Sequence, residues 1–132
     1  RLEMQHAAQE EQDHLAWCED RLQELNSYPS LLNPVWYSLS FVMGAVAGIA
    51  GDKYSLGFVA ETEKQVSIHL LSHLKQLPPQ DQRSEAILQQ MNSDELAHRE
   101  TALQAGAAEL PYSVKFLMSV ISKTMTKTSY YL

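Results

Sequence analysis

Cysteine occurs only once, at Cys18, and a single thiol excludes a disulfide framework and points to a reducing compartment. Glycine and proline, five each, fall in clusters, and β-branched runs are short, so the composition leans to an all-α chain. A basic excess is also missing. Ten Lys+Arg against sixteen Asp+Glu give a formal charge of −6, and no basic stripe with interleaved aromatics appears, so nucleic acid is not an expected partner. No apolar run reaches the roughly 20 residues of a spanning helix. No leader peptide and no period of repeat-protein length can be read. The 132 residues suffice for one core, so 1–132 reads as a single domain. The chain opens on Arg1, without an initiator Met and already in helical periodicity, so further natural sequence is expected upstream.

What the chain does contain is acid in places where leucine belongs. From Arg1 to about Leu25, Met4, Ala7, Leu15, Cys18, Leu22 and Leu25 recur in threes and fours, the mark of an amphipathic helix. Glu11 fills the vacant slot near the centre of that stripe, with His14 one turn on, at its border. A core carboxylate with no basic residue at i±3 or i±4 costs on the order of several kcal/mol unless something compensates, and a metal ion is the usual answer beside a histidine. Glu3 and His6 share the Glu-x-x-His spelling but lie off the stripe, so phase rather than spelling singles out Glu11 and His14. Cys18, in the stripe, reads as a small core residue.

Asn26-Ser27-Tyr28-Pro29 stops the first helix, and Asn33-Pro34 reads as the N-cap and first position of the next. Val35 to Ala50 is the most apolar stretch, with Gly44 and Gly48 as a small-xxx-small pair that permits close helix approach. Two readings stand for it: a buried crossover helix, or a helix at a membrane interface with Trp36 and Tyr37 near the headgroups. A third helix spans about Lys53 to Leu77 on the stripe Leu56, Val59, Ala60, Val66, Leu70, Leu74 and Leu77. Glu63 fills its empty core slot, whereas Glu61 points away and is expected to be solvated. After Pro78-Pro79 a fourth helix begins around Asp81 to Ser84, with Ile87, Leu88, Met91, Ala102 and Ala105 apolar and Glu95 and His98 between them. Arg99, at i+4 from Glu95, offers an ordinary surface pair as the alternative. Tyr112 to about Tyr130 forms a last helix with Val114, Leu117, Met118, Ile121 and Met125 on one face and Lys115, Lys123 and Lys127 off it. It packs on the bundle or anchors at an interface.

The in-phase groups therefore run Glu-x-x-His, Glu, Glu-x-x-His on three helices. A ferritin-like di-iron carboxylate bundle takes one Glu from each of two helices and Glu-x-x-His from each of the other two. The order matches from its second term onward, so the first glutamate is expected on a helix before Arg1. Four carboxylates and two neutral imidazoles would balance two divalent ions. Oxygen-rich ligation suits iron or manganese better than zinc.

Four stretches sharpen the picture: Glu-Glu-Gln-Asp-His-Leu-Ala-Trp-Cys (10–18), Asn-Pro-Val-Trp-Tyr (33–37), Gly-Phe-Val-Ala-Glu-Thr-Glu-Lys-Gln-Val (57–66) and Asp-Glu-Leu-Ala-His (94–98). With these the chain resembles the demethoxyubiquinone hydroxylase (Coq7) family, bacterial type, over essentially its whole length. The resemblance implies a peripheral di-iron monooxygenase of ubiquinone biosynthesis on the cytoplasmic face of the bacterial inner membrane. Its membrane contacts would be the 35–50 and 112–130 helices. It would hydroxylate demethoxyubiquinol with dioxygen and reductant from NADH or the quinol, using two iron ions held by Glu11, His14, Glu63, Glu95 and His98. His69 matches a family histidine linked to electron transfer from bound quinol. Leu70 stands where animal members carry tyrosine, and a surface imidazole is the other reading of His69. His73 has no family counterpart and is expected to be structural or solvated. With the family's first helix absent, partial metal occupancy is expected, and a homodimer would cover the open groove. Two other functions stay open: iron oxidation or storage without organic substrate, and a non-enzymatic bundle that binds quinone or a partner helix.

Overall fold

The computed structural model describes residues 2–132; Arg1, from which the first helix was expected to run, lies outside the described residues. Among these there are five helices and no strand: α1 Leu2–Glu24, α2 Asn33–Ile49, α3 Asp52–Gln76, α4 Gln82–Gln104 and α5 Tyr112–Tyr131. The expected boundaries hold within a residue or two. One cap does not: Leu32 is the N-cap of α2, without a side-chain bond, and Asn33 lies inside the helix just before Pro34. At α4, by contrast, the Asp81 carboxylate accepts from the Ser84 N–H, as an aspartate N-cap should.

The α3–α4 pair is the spine. Gln76 and Gln82 are separated by a short Pro-Pro link, so the two helices run antiparallel and zip along their small residues. Ala60, Leu70 and Ala102 are buried, and the Ser67 hydroxyl donates to Asn92 Oδ1 at 2.6 Å across the seam. At Gly57 α3 meets the link that follows α4: an added Cβ would overlap the Ala108 carbonyl oxygen. The Ala108 N–H closes the corner by donating to Lys53 O. Leu110 and Met118 complete this small core.

α1 lies antiparallel along α4, with Glu10 opposite His98, His14 opposite Asp94, Cys18 opposite Met91 and Arg21 opposite Ser84. This face is rotated from the one that the apolar stripe marks out. Met4, Leu15 and Leu25 are exposed, because no described element packs on that side. Cys18 is half-buried, its Sγ 3.8 Å from Met91 Sδ.

α2 overturns the buried-crossover reading. It has no buried residue; Val35, Phe41, Val42, Val46 and Ile49 are all exposed, and only a line through Trp36, Met43 and Ala47 is half-buried. Gly44 and Gly48 have nothing within 4 Å of an added Cβ, so neither serves a close helix contact. α5 buries Met118 and leaves Leu117 and Val114 exposed, with Lys115 paired to Glu109. Among the described residues no helix is long and apolar enough to cross a membrane.

Candidate metal centre

Three helices converge on one polar cluster. α4 supplies Glu95 and His98, one turn apart; α1 supplies Glu11 and His14 with the same spacing; α3 supplies Glu63. Single ligand atoms of Glu11, Glu63, Glu95 and His98 all lie within 4.8 Å of one another. His14 adjoins this group, its ring centroid 6.4 Å from that of His98. Burial is uneven. His14 and Glu95 are each 3 % exposed, whereas the Glu11 side chain is 51 % exposed. The sequence pattern put Glu11 deepest and His14 at the edge; the rotation of α1 exchanges them. Arg99 forms no ion pair with Glu95, so the surface-pair alternative for that glutamate does not apply. Glu61, expected to be solvated, is half-buried and accepts from Gln65.

The proton positions on the imidazoles decide what the cluster can do. His14 Nε2–H donates to Asp94 Oδ2 at 2.8 Å, and His98 Nε2–H donates to Glu10 Oε2 at 2.5 Å. An Nε2–H given to an acid leaves Nδ1 as the atom available to a metal, and each Nδ1 is buried without a hydrogen-bond partner. His14 Nδ1 faces Glu95 Oε1 at 3.2 Å and Glu11 Oε2 at 3.8 Å. His98 Nδ1 faces Glu11 Oε1 at 3.3 Å, with Glu63 Oε1 and Glu95 Oε2 both at 3.9 Å. Glu11 and Glu95 thus each turn one oxygen toward each imidazole. Nδ1 atoms facing carboxylate oxygens at these distances call for a positive charge between them, either a proton or a metal ion. The donor set, three carboxylates and two imidazoles with their outer nitrogens held by acids, fits divalent iron or manganese.

The carboxylates register the same crowding. Glu63 is pushed up to about 10, first by burial and then by its hydrogen bond to Glu95 and the charges of Glu95 and Glu11. Glu11 is raised first by burial and then by Glu95, against the opposing charge that His14 and His98 exert when protonated.

Glu10 and Asp94, the acids that hold the two imidazoles, were not among the positions singled out by periodicity. A signal was present: each in-phase Glu-x-x-His follows an acid, Glu10-Glu11 and Asp94-Glu95, whereas out-of-phase Glu3 follows Leu2. His69 joins none of this. Its Nε2 meets His73 Nε2 at 2.9 Å, and among the described residues no carboxylate oxygen lies within 4 Å of either ring's nitrogens.

Antiparallel helices that turn Glu-x-x-His pairs and a further Glu inward define a carboxylate-bundle metalloprotein. The chain belongs to a family of that class: residues 1–129 match the model of the ubiquinone biosynthesis protein COQ7, a family of ferritin-like di-iron helical bundles. Relatives named 3-demethoxyubiquinol 3-hydroxylase are 75 % identical over 132 residues in Acinetobacter baumannii (strain ACICU) and 76 % identical in Acinetobacter baylyi. One from Legionella pneumophila (strain Corby) is 60 % identical over 130 residues, covering 98 % of this chain and 61 % of its own. The chain spans 63 % of the length of the Acinetobacter relatives. No solved structure matches it.

Proposed function

We propose that the protein to which this chain belongs hydroxylates demethoxyubiquinol at ring position 3, as a di-iron monooxygenase of ubiquinone biosynthesis. The observation that carries this reading is the pair of buried, unpartnered Nδ1 atoms on His14 and His98, aimed into a ring of glutamate oxygens. Identity to hydroxylases across the whole chain supports the substrate class.

Glu11, His14, Glu63, Glu95 and His98 would hold the two irons, which supply the reductive activation of dioxygen when bound. The chain's own contribution is orientation and charge. Asp94 and Glu10 fix the imidazole tautomers and keep both Nδ1 lone pairs inward. Glu95, the most deeply buried acid, holds two oxygens in fixed directions between the imidazoles. Glu11, half exposed, leaves one side of the cluster open, where a quinol ring and dioxygen can approach. A cation held at the cluster would take the place of the proton that burial and the neighbouring acids keep on Glu63.

A peripheral site on the cytoplasmic face of the inner membrane belongs to the same proposal. The exposed row Phe41, Val42, Val46 and Ile49 on α2, and Phe116 and Leu117 on α5 with Lys123 and Lys127 nearby, suit an apolar–headgroup boundary. The electron donor is NADH or the quinol itself, and a homodimer would cover the open side of α1.

The test is turnover of demethoxyubiquinol in lipid vesicles by iron-loaded protein with dioxygen and NADH, read by mass spectrometry. The expected product is the hydroxylated quinol. Consumption of ferrous iron and dioxygen with the quinol untouched would replace this reading with an iron oxidase.

A further inference from the structure

Lys64 and Arg99 each stand one residue past a glutamate or histidine of the carboxylate cluster, Glu63 and His98, and so turn about 100° away from it round their helices. There they meet Lys115 of α5 around a cavity of about 110 Å³ that Gly57, Ala60 and Leu110 also line. In a chain of charge −6 with only ten Lys+Arg, three at one small cavity is a local reversal of sign. Among the described residues, neither Lys64 nor Arg99 has a carboxylate oxygen within 4 Å; only Lys115 is paired, with Glu109. Two acids line the same space. Glu61 accepts a hydrogen bond from Gln65, and Glu109 is 84 % exposed, on the link between α4 and α5. Lys115 first, then Lys64 and Arg99, hold the Glu109 carboxyl below its ordinary range. Glu109 is therefore the resident counter-ion, and an acid so exposed can swing out to water and leave the three cations to another anion.

The space suits one tetrahedral oxyanion. A water's share of the liquid is about 30 Å³, so a cavity of this size takes a phosphate group and little more, and a dinucleotide does not fit. What flanks the cavity selects the source of that phosphate. Tyr112 and Phe116 lie about 60° and 100° round α5 from Lys115. Both are exposed, and their rings stack with centroids 6.3 Å apart. Leu117 and Val120, also exposed, continue this apolar surface along the helix. A free oxyanion gains nothing from such a ridge, whereas a phosphate ester that carries acyl chains does. We propose that Lys64, Arg99 and Lys115 bind the headgroup phosphate of an anionic phospholipid, which displaces Glu109 and lays its acyl chains along Tyr112 and Phe116. The inference rests on the peripheral membrane reading given above and supplies it with a specific seat. Because Lys64 and Arg99 adjoin Glu63 and His98 in sequence, a lipid held there fixes the carboxylate cluster relative to the bilayer surface.

The experiment is co-flotation of iron-loaded protein with vesicles of phosphatidylcholine, alone or mixed with phosphatidylglycerol, at one ionic strength. Tighter binding to the phosphatidylglycerol vesicles is expected. Lys115→Gln and Lys64→Gln should each lose about tenfold of that binding. Lys75→Gln, the same charge change in the last turn of α3, should lose less than about twofold. Glu109→Gln, which removes the resident counter-ion, should bind several times more tightly. Retained helicity and iron content separate a lost contact from a lost fold. Equal losses in Lys115→Gln and Lys75→Gln, or none in either, overturn the proposal and leave the peripheral membrane reading standing. Failure to float with either vesicle removes both. Saturable binding of inorganic phosphate, with no preference between the two vesicles, makes the cavity a free-anion site and overturns the lipid.

Discussion

Asp94 on α4 reaches across to His14 on α1, Oδ2 to Nε2 at 2.8 Å, while Glu10 on α1 reaches back to His98 on α4. The acid that precedes each Glu-x-x-His therefore holds the histidine of the other helix. This exchange fixes both imidazole tautomers and fastens α1 to the spine at the level of the carboxylate cluster.

Asp94→Ala is expected to weaken iron binding about 10–100-fold, since Nε2 of His14 loses its acceptor and the ring its orientation. Glu10→Ala should do the same through His98. Asp94→Asn, which can still accept through its amide oxygen, should recover part of the loss. Iron affinity by competition with a chromophoric chelator checks all three.

Glu63 makes the metal-free protein sensitive to alkali. Its pKa is about 10 when folded and 4.5 in the ordinary range, so between those values the folded state binds the extra proton. Stability of the metal-free protein must then fall as pH rises through this window, with the contribution fully present only below 4.5. Denaturant titrations from pH 5 to 9 should show that slope, and Glu63→Gln should flatten it. Iron loading should release protons and reverse the trend.

Gly57→Ala tests the α3 corner. A methyl group that overlaps the Ala108 carbonyl oxygen forces the 105–111 link off the helix, and Leu110 Cδ2 at 3.2 Å leaves no room to shift. The overlap should exceed the helix propensity gained, for a net loss of about 2 kcal/mol, seen as a lower midpoint in urea.

Asp81→Ala removes the N-cap of α4. The carboxyl is held below the usual 3.8 by the Ser84 N–H first and also by Arg21, so its stabilisation is present above 3.8 and lost as pH falls through the lower folded value. The melting temperatures of Asp81→Ala and the wild type should differ at neutral pH and converge in acid.

Much of this architecture was legible from periodicity. Pro29, the Pro78-Pro79 link and Pro111 delimit the helices, and the small residues of α3 and α4 mark the faces that meet. The five candidate ligands stand out because Glu11, Glu63 and Glu95 interrupt apolar stripes. The rotation of α1 was not legible. Its inward face, Glu10, His14, Trp17 and Arg21, is polar or aromatic, and burial of His14 depends on Asp94, eighty residues away. Periodicity measures what water rejects, and a face that docks through charge-assisted bonds gives no such signal. The fate of α2 was hidden for a similar reason, since an apolar helix reads alike whether protein or lipid covers it.

The most direct test is the iron content of Glu95→Ala and Glu63→Ala beside that of the wild type, measured by elemental analysis after identical anaerobic loading. Retained helicity with at least a tenfold loss of bound iron in both variants is the predicted result. Wild-type iron content in both variants would contradict the ligand assignment, and with it the hydroxylase reading.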